Sequence, residues 1–318
     1  MPRAPSCAKR GRGTGGEGMK KPIKVDLVAG FLGSGKTTLL RHFLSRSGGE
    51  RVGVLLNEMG EVELEDKLVR QARAEVVEFA QGCLCCQSPN ELVLALKSLA
   101  RNAPDRILIE STGIADPARI LATLSEASSL KGLIAIEPTI VVVDAAGFFS
   151  LFQTLAYYYV MQLRAADVVV LNKADVATRA QLAGAEREVR KLQARALVVR
   201  ARHGRVDLHG LLEGEPSAEP SGYQARRLTI DGTLDPAGLR ELLERMPGGI
   251  YRARGRVRFP GGCHRVDYRN GSYAEEPVTA PEAGPANDLV FIGSRFDGRG
   301  LEARLRRCVL EEGTHGGA

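Results

Sequence analysis

Residues 30–37 have the residue types and spacing of a phosphate-binding loop. They read GFLGSGKT and fit G-x-x-x-x-G-K-T, between a run that predicts a strand and a pattern that predicts a helix. Glycines let backbone N–H groups curl around phosphates, and the helix N-terminus adds its dipole. We expect Lys36 to reach the β- and γ-phosphates and the Thr37 hydroxyl to bind Mg²⁺. The predicted nucleotide-binding residues of this loop are Gly30, Gly33, Ser34, Gly35, Lys36, Thr37 and Thr38.

A second motif, Asn172-Lys173-Ala174-Asp175, has the spacing N-K-x-D and ends another apolar run. The Asp175 carboxylate can accept from both N–H donors on one edge of guanine, which adenine does not offer. Four residues alone are a weak signal, because many surface turns match. Combined with the phosphate loop, they favour GTP over ATP and predict that Asn172, Lys173 and Asp175 bind the base.

Glu110-Ser111-Thr112-Gly113 follows the apolar run 106–109. An acid at the end of such a strand can hold Mg²⁺ or orient its water, and a glycine lets a backbone N–H approach the γ-phosphate. We therefore predict Glu110 and Gly113 as catalytic residues beside Lys36 and Thr37. The contact would order residues 114–117 in the triphosphate state.

Three thiols lie within four residues, at Cys83, Cys85 and Cys86. Thiolates are soft ligands that suit Zn²⁺ and other thiophilic ions, and three protein ligands leave a coordination position open for exchange. A buried turn of small residues and a redox dithiol remain alternatives. A fourth ligand is expected from the acidic segment that contains Glu58, Glu61, Glu63, Glu65 and Asp66.

Weaker candidates are given no role. Cys263 and His264 are adjacent in a predicted turn, and neighbours in an extended segment point to opposite faces. His203 and His209 are treated as ordinary surface residues. The alternating arginines Arg252, Arg254, Arg256 and Arg258 are predicted to form a solvated face.

The elements that must position these motifs alternate between apolar runs and helical patterns up to residue 200. The runs are 23–29, 52–56, 76–79, 106–110, 139–144, 167–172 and 196–200. Continuously apolar strands with intervening helices indicate an α/β fold, a P-loop NTPase with a mostly parallel sheet covered by helices. After residue 213 the pattern predicts a small α+β C-terminal domain with antiparallel strands, in which Asp235 is an N-cap.

The 318 residues are expected to divide into a disordered basic tail, two domains, a linker and a second tail. The boundaries are 1–22, 23–212, 213–224, 225–312 and 313–318. The chain's net charge of +6 equals that of its first 24 residues, so the body is neutral and nucleic acid is not expected as a partner. Residues 145–163 are uncharged, but their polar residues and helical spacing indicate a packed helix. With no apolar signal region, a cytoplasmic protein without a membrane segment is expected.

The segments GFLGSGKTTLL, NEMGEVELED, GCLCC, ESTGIADP, NKAD and NDLVFIG resemble the CobW-type metal GTPases, relatives of UreG and HypB. The resemblance runs from about residue 24 to about residue 310 and implies a GTPase domain followed by a CobW C-terminal domain. It implies that the three cysteines are metal thiolates, with Glu58 and Glu61 as carboxylates near the metal or Mg²⁺. One departure is the absence of a histidine-rich stretch, since the chain has five histidines and none in 213–222.

The leading hypothesis is a GTP-hydrolysing metallochaperone or insertase that delivers zinc or cobalt to a client protein, with Mg²⁺ as cofactor and homodimerisation as a possibility. A nucleotide- or zinc-sensing regulatory protein is the alternative. A P-loop small-molecule kinase is disfavoured by N-K-A-D.

Overall fold

The computed structural model describes residues 21–47, 49–56, 75–78, 89–213, 224–246, 250–269, 272–278, 287–293 and 296–310, with the backbone alone at 75–78, 89 and 213. The strands of the first sheet are β1 (Ile23–Gly30), β2 (Val52–Leu56), β3 (Glu75–Glu78), β4 (Arg106–Glu110), β5 (Ile134–Ile136), β6 (Ile140–Asp144), β7 (Val168–Asn172) and β8 (Leu197–Arg200). The helices between these strands are α1 (Lys36–Ser45), α2 (Pro89–Ala100), α3 (Pro117–Glu126), α4 (Phe148–Arg164) and α5 (Arg179–Leu192), and α6 (Leu208–Glu213) follows β8.

The first sheet is parallel and runs in the order β3-β2-β4-β1-β6-β7-β8, with β5 added beside β1. Its central strands are buried almost throughout, which agrees with their continuous apolar runs. Helices α1 and α6 pack on one face, and α2 to α5 pack on the other. The expected α/β class is confirmed. All strands point the same way, so their carboxyl ends lie along one edge of the sheet.

The uncharged segment forms α4, a helix of 17 residues that packs on the sheet and against α5. Phe148, Phe152 and Tyr159 form an aromatic cluster along its inner side. Leu155 departs from helical geometry at φ −122° and ψ 27°, so the helix kinks in its middle. Among the helices of the described residues, none is long and apolar enough to span a bilayer.

The second sheet is antiparallel, in the order β12-β11-β10-β13-β9. Its strands are β9 (Gln224–Ile230), β10 (Ile250–Phe259), β11 (Gly262–Arg269), β12 (Ser272–Pro277) and β13 (Asn287–Gly293), and α7 (Pro236–Glu244) and α8 (Gly298–Arg306) cover one face. The Asp235 carboxylate accepts from two backbone N–H groups at the start of α7, as expected of an N-cap. Cys263 and His264 lie within β11 rather than in a turn, so that prediction is wrong.

The two sheets are joined by a buried ion pair. Arg252, at the start of β10, is 1% exposed, and its Nη1 lies 2.8 Å from Glu137 Oε2 in the loop after β5. Its Nη2 and Nε donate to the carboxylate of Asp267. The prediction that Arg252 lies on a solvated face is therefore wrong, although Arg258 on the same strand is exposed. The alternation of arginines along β10 indicates that they share one face of the strand. It does not show that Glu137 of the first domain covers that face at Arg252.

Candidate functional site

In the loop between β1 and α1, glycines allow the backbone to lie close to neighbouring strands. Gly30, Gly33 and Gly35 have φ values of 140°, 72° and 101°. A Cβ on Gly30 would lie 2.2 Å from the carbonyl oxygen of Val142, and one on Gly35 would lie 2.2 Å from Asn172 Nδ2. Side chains at Gly30 and Gly35 would collide with the neighbouring strands β6 and β7, whereas Gly33 is open. The loop is thus pressed against the carboxyl ends of two strands.

Two polar side chains of this loop, those of Ser34 and Lys36, are buried. Lys36 is 3% exposed, and its Nζ lies 3.5 Å from the carbonyl oxygen of Phe31. The Ser34 hydroxyl is buried and has no hydrogen-bond partner among the described residues. Because a buried hydroxyl without a partner is costly, it fits a loop that is completed by a phosphate oxygen. Thr38 is exposed on α1.

Thr37 and Glu110 meet beside the loop. The Thr37 Oγ1 donates to Glu110 Oε1 at 2.8 Å, although the two residues lie 73 positions apart in the sequence. The contact follows from strand order, since β4 lies next to β1 and Glu110 is level with Val28. Glu110 is 2% exposed. A hydroxyl and a carboxylate are oxygen donors of the type Mg²⁺ prefers, so this pair fits that ion.

Asn172 links the phosphate loop to the loop after β8. Its Nδ2 donates to the carbonyl of Ser34 at 2.9 Å, and its Oδ1 accepts from the backbone N–H of Gly204 at 2.9 Å. The side chain is buried, and its donor and its acceptor both bind within the protein. In this structure it braces two loops that border the predicted base site.

The other two residues of the N-K-x-D loop lie at its surface. Lys173 has a φ of 59°, and its Nζ lies 2.8 Å from Asp144 Oδ2 at the end of β6. Asp175 Oδ2 lies 3.5 Å from His203 Nε2. The side chain of Asp175 is 24% exposed, so it is accessible to a base.

The loop after β8, residues 201–204, was missed by sequence reasoning. A Cβ on Gly204 would lie 2.8 Å from the backbone nitrogen of Leu39, so the loop packs directly on α1. The sequence signal was available, because His203 and Gly204 directly follow the last buried run of the parallel series. His203 is a surface residue, as predicted, with its side chain 72% exposed, and it lies beside Asp175.

The loop after β4 lies against the phosphate loop. The Ser111 N–H donates to the carbonyl of Val28, and a Cβ on Gly113 would lie 2.7 Å from the backbone nitrogen of Leu32. The buried side chain of Gln162 in α4 holds this loop from behind. The predicted residues Lys36, Thr37, Glu110 and Gly113 are therefore brought together.

The predicted metal residues Cys83, Cys85, Cys86, Glu58 and Glu61 lie outside the described residues. Within the described part of the chain, no group of three or more histidine, cysteine or acidic side chains could hold a metal ion. Cys263 and Cys308 both lie in the second domain. Burial raises the pKa of the Cys308 thiol, which favours its protonated form.

A parallel sheet, a glycine-rich loop between β1 and α1, and an N-K-x-D loop after β7 define a P-loop GTPase domain, to which an antiparallel α+β domain is joined. Residues 24–200 match the CobW/HypB/UreG nucleotide-binding domain, and residues 223–309 match the cobalamin synthesis protein CobW C-terminal domain. The chain therefore belongs to the CobW family.

Two curated relatives agree with this assignment. The zinc chaperone CobW of Pseudomonas aeruginosa is 33% identical over 90% of this chain and 92% of its own length. The zinc chaperone YjiA of Escherichia coli is 37% identical over 60% of this chain, and the match spans 61% of YjiA. The protein in the crystal structure of Zn(II)-bound YjiA GTPase from E. coli is 23% identical in sequence to this chain. The match covers 91% of this chain and 99% of that chain, with a TM-score of 0.49.

Proposed function

We propose that this protein is a GTP-dependent metallochaperone that carries a thiophilic divalent metal, zinc or cobalt, to a client protein. The observation that carries the proposal is a GTPase site in a chain whose C-x-C-C segment follows, in the sequence, a strand of the same sheet. Relatives named zinc chaperones support zinc as the cargo. We further propose a cytoplasmic location, and homodimerisation as one way of completing the site.

Chain topology supports coupling between nucleotide and metal. The segment with Glu58 and Glu61 begins after Leu56, whose register partner on β4 is Glu110. The segment with the thiols begins after Glu78 at the end of β3, next to β2. Both segments therefore start from the strand ends where the phosphate loop also lies. Adjacent strands are about 4.8 Å apart, so the start of the thiol segment is roughly 15 Å from the end of β1.

In the proposed reaction, the phosphate loop, Lys36 and the helix dipole of α1 bind the phosphates. Thr37 and Glu110 would hold Mg²⁺, which neutralises phosphate charge when it is bound. Asp175 accepts from the guanine N–H groups, and the Gly113 N–H reads the γ-phosphate. Loss of the γ-phosphate then releases the loop after β4, and the thiolates pass their metal to the client.

The proposal requires metal affinity to depend on the bound nucleotide. We would measure the Zn²⁺ and Co²⁺ affinities of the full chain with a non-hydrolysable GTP analogue and with GDP. A difference of at least fivefold is expected, since typical coupling free energies are about 1–3 kcal/mol. Equal affinities in the two states would refute the coupling.

The thiols are tested separately. The variant Cys83→Ala/Cys85→Ala/Cys86→Ala should lose the metal that the wild type binds and keep its GTP affinity. Cys263→Ala is the matched control, because Cys263 lies in β11 of the second domain. If the triple variant and the control bind zinc equally well, the metal site lies elsewhere.

A further inference from the structure

Gln162 is a buried polar side chain in the otherwise largely apolar inner side of α4. It is 1% exposed, and its Nε2 donates to the carbonyl oxygens of Gly113 at 3.0 Å and Ala115 at 3.3 Å. The amide group of glutamine has two N–H donors, and the loop after β4 accepts from it twice. A leucine would fill this position without the cost of burying an amide. The side chain is therefore matched to the loop rather than to the core.

The loop that Gln162 holds is fixed at its other contacts as well. Ser111 is tied to β1 by its N–H, and the Asp116 carboxylate caps α3 by accepting from the Ala118 N–H at 2.9 Å. Between these ends, Ile114 points outward and is 51% exposed. The two carbonyls bound by Gln162 flank Ile114. Gln162 thus supports the part of the loop that its end contacts do not reach.

The same helix also supports the phosphate loop. Tyr159, one turn before Gln162, stacks on Phe31 with a centroid distance of 5.8 Å and an interplanar angle of 23°. Helix α4 therefore contacts both loops that face the predicted γ-phosphate position. Because Gly113 lies against Leu32, the two loops also contact each other.

We infer that Gln162 is a positioning residue that sets how strongly this protein distinguishes GTP from GDP. It holds the backbone around Gly113 in the position from which the Gly113 N–H meets the γ-phosphate. GDP lacks that phosphate, so its binding depends much less on the loop. The inference rests on the proposed function, in which Gly113 reads the γ-phosphate.

The test replaces Gln162 with methionine, which is close to glutamine in shape and has no N–H donor. In Gln162→Met, affinity for a non-hydrolysable GTP analogue is expected to fall about tenfold, because both hydrogen bonds to the loop are lost. Affinity for GDP should change less than about twofold. The value of kcat for GTP hydrolysis should also fall, while inhibition by GDP stays close to that of the wild type.

Leu163→Ala is the matched control. Leu163 is the next residue of α4, is fully buried, and packs among the apolar side chains between the helix and the sheet. Its truncation should lower the unfolding temperature at least as much as Gln162→Met does, yet leave the ratio of the two nucleotide affinities unchanged. Equal losses of that ratio in both variants would show a general packing effect and overturn the inference.

Hydrogen exchange on the wild-type chain tests the same point without a variant. Amides 112–116 should be better protected with the GTP analogue than with GDP. Equal protection in a protein that binds both nucleotides would show that this loop does not respond to the γ-phosphate, which would overturn the inference. Failure of the wild type to bind either nucleotide would instead overturn the proposed function.

Discussion

Removal of Arg252 is expected to weaken the connection between the two domains. In Arg252→Met, the guanidinium that contacts Glu137 Oε2 at 2.8 Å and the Asp267 carboxylate is lost. Methionine fills much of the same space, so the main effect is electrostatic. The Glu137 side chain is 9% exposed in the wild type and would become a buried carboxylate without this cation.

The expected loss of stability follows from the burial of Glu137. Removal of one partner of a buried ion pair costs about 3–5 kcal/mol in the free energy of unfolding. With a slope of about 3 kcal/mol per molar urea, the unfolding midpoint should fall by about 1 M or more. Arg227→Met is the control, because Arg227 pairs with Asp288 but is 70% exposed. Such a surface pair contributes less than about 1 kcal/mol.

The pH dependence should change sign. Burial alone would raise the pKa of Glu137, but the charge and hydrogen bond of Arg252 outweigh it and lower that pKa, with smaller contributions from Arg269 and Arg254. In the wild type, this contribution to stability is present above the unfolded pKa, about 4.3, and is lost as pH falls through the lower folded pKa. In Arg252→Met the burial effect dominates and the folded pKa lies above the unfolded one. Stability is then lost as pH rises from about 4.3 through the folded pKa.

Urea unfolding followed by circular dichroism between pH 5 and pH 7 measures both effects. Between these values the Glu137 contribution should be nearly constant in the wild type and should decline with rising pH in Arg252→Met. The double variant Arg252→Met/Glu137→Gln should recover part of the loss, because no charge is then buried at Glu137. A midpoint shift no larger than that of Arg227→Met would refute the reasoning.

Two further predictions concern the nucleotide site. Gly35→Ala should abolish detectable GTP binding, because the new Cβ would lie 2.2 Å from Asn172 Nδ2. Gly33→Ala has open space and should cost only the strain of its positive φ, about 1–2 kcal/mol of stability. Similar GTP affinities of the two variants, measured by calorimetry, would contradict this prediction. Asp175→Asn should lose GTP affinity by at least tenfold and gain relative affinity for xanthosine triphosphate, because an amide presents one donor and one acceptor to the base. Competition between the two nucleotides measures that preference, and an unchanged order would exclude Asp175 from base recognition.

Many strands could be predicted from the sequence because buried strands consist of continuous runs of apolar residues. The strands β1, β2, β4, β6, β7 and β8 lie within about a residue of the apolar runs. Their parallel arrangement followed from runs with no polar alternation. The phosphate loop and the N-cap Asp235 could be identified because each depends on local backbone needs that few residue types satisfy.

Other elements left no such pattern. Strand β5 has three residues of intermediate exposure, and β12, with the sequence SYAEEP, is almost entirely exposed. Strand β5 forms because the first residues of β1 offer hydrogen bonds, and β12 forms because β11 offers them at the edge of the second sheet. A short exposed strand buries little apolar surface, so hydrophobicity along the chain does not mark it.

For the site, the sequence by itself determined which groups are available: a phosphate loop, an acid, a base-reading carboxylate and three thiols. The tertiary structure decided which of them meet. Strand order brings Glu110 to Thr37, the packing of α4 brings Gln162 to Gly113, and the docking of the second domain buries Arg252 against Glu137. These contacts join residues 49 to 115 positions apart. The local hydrophobic pattern predicts on which face of a strand or helix a side chain lies. The residue that it contacts across that face depends on how distant segments of the chain pack.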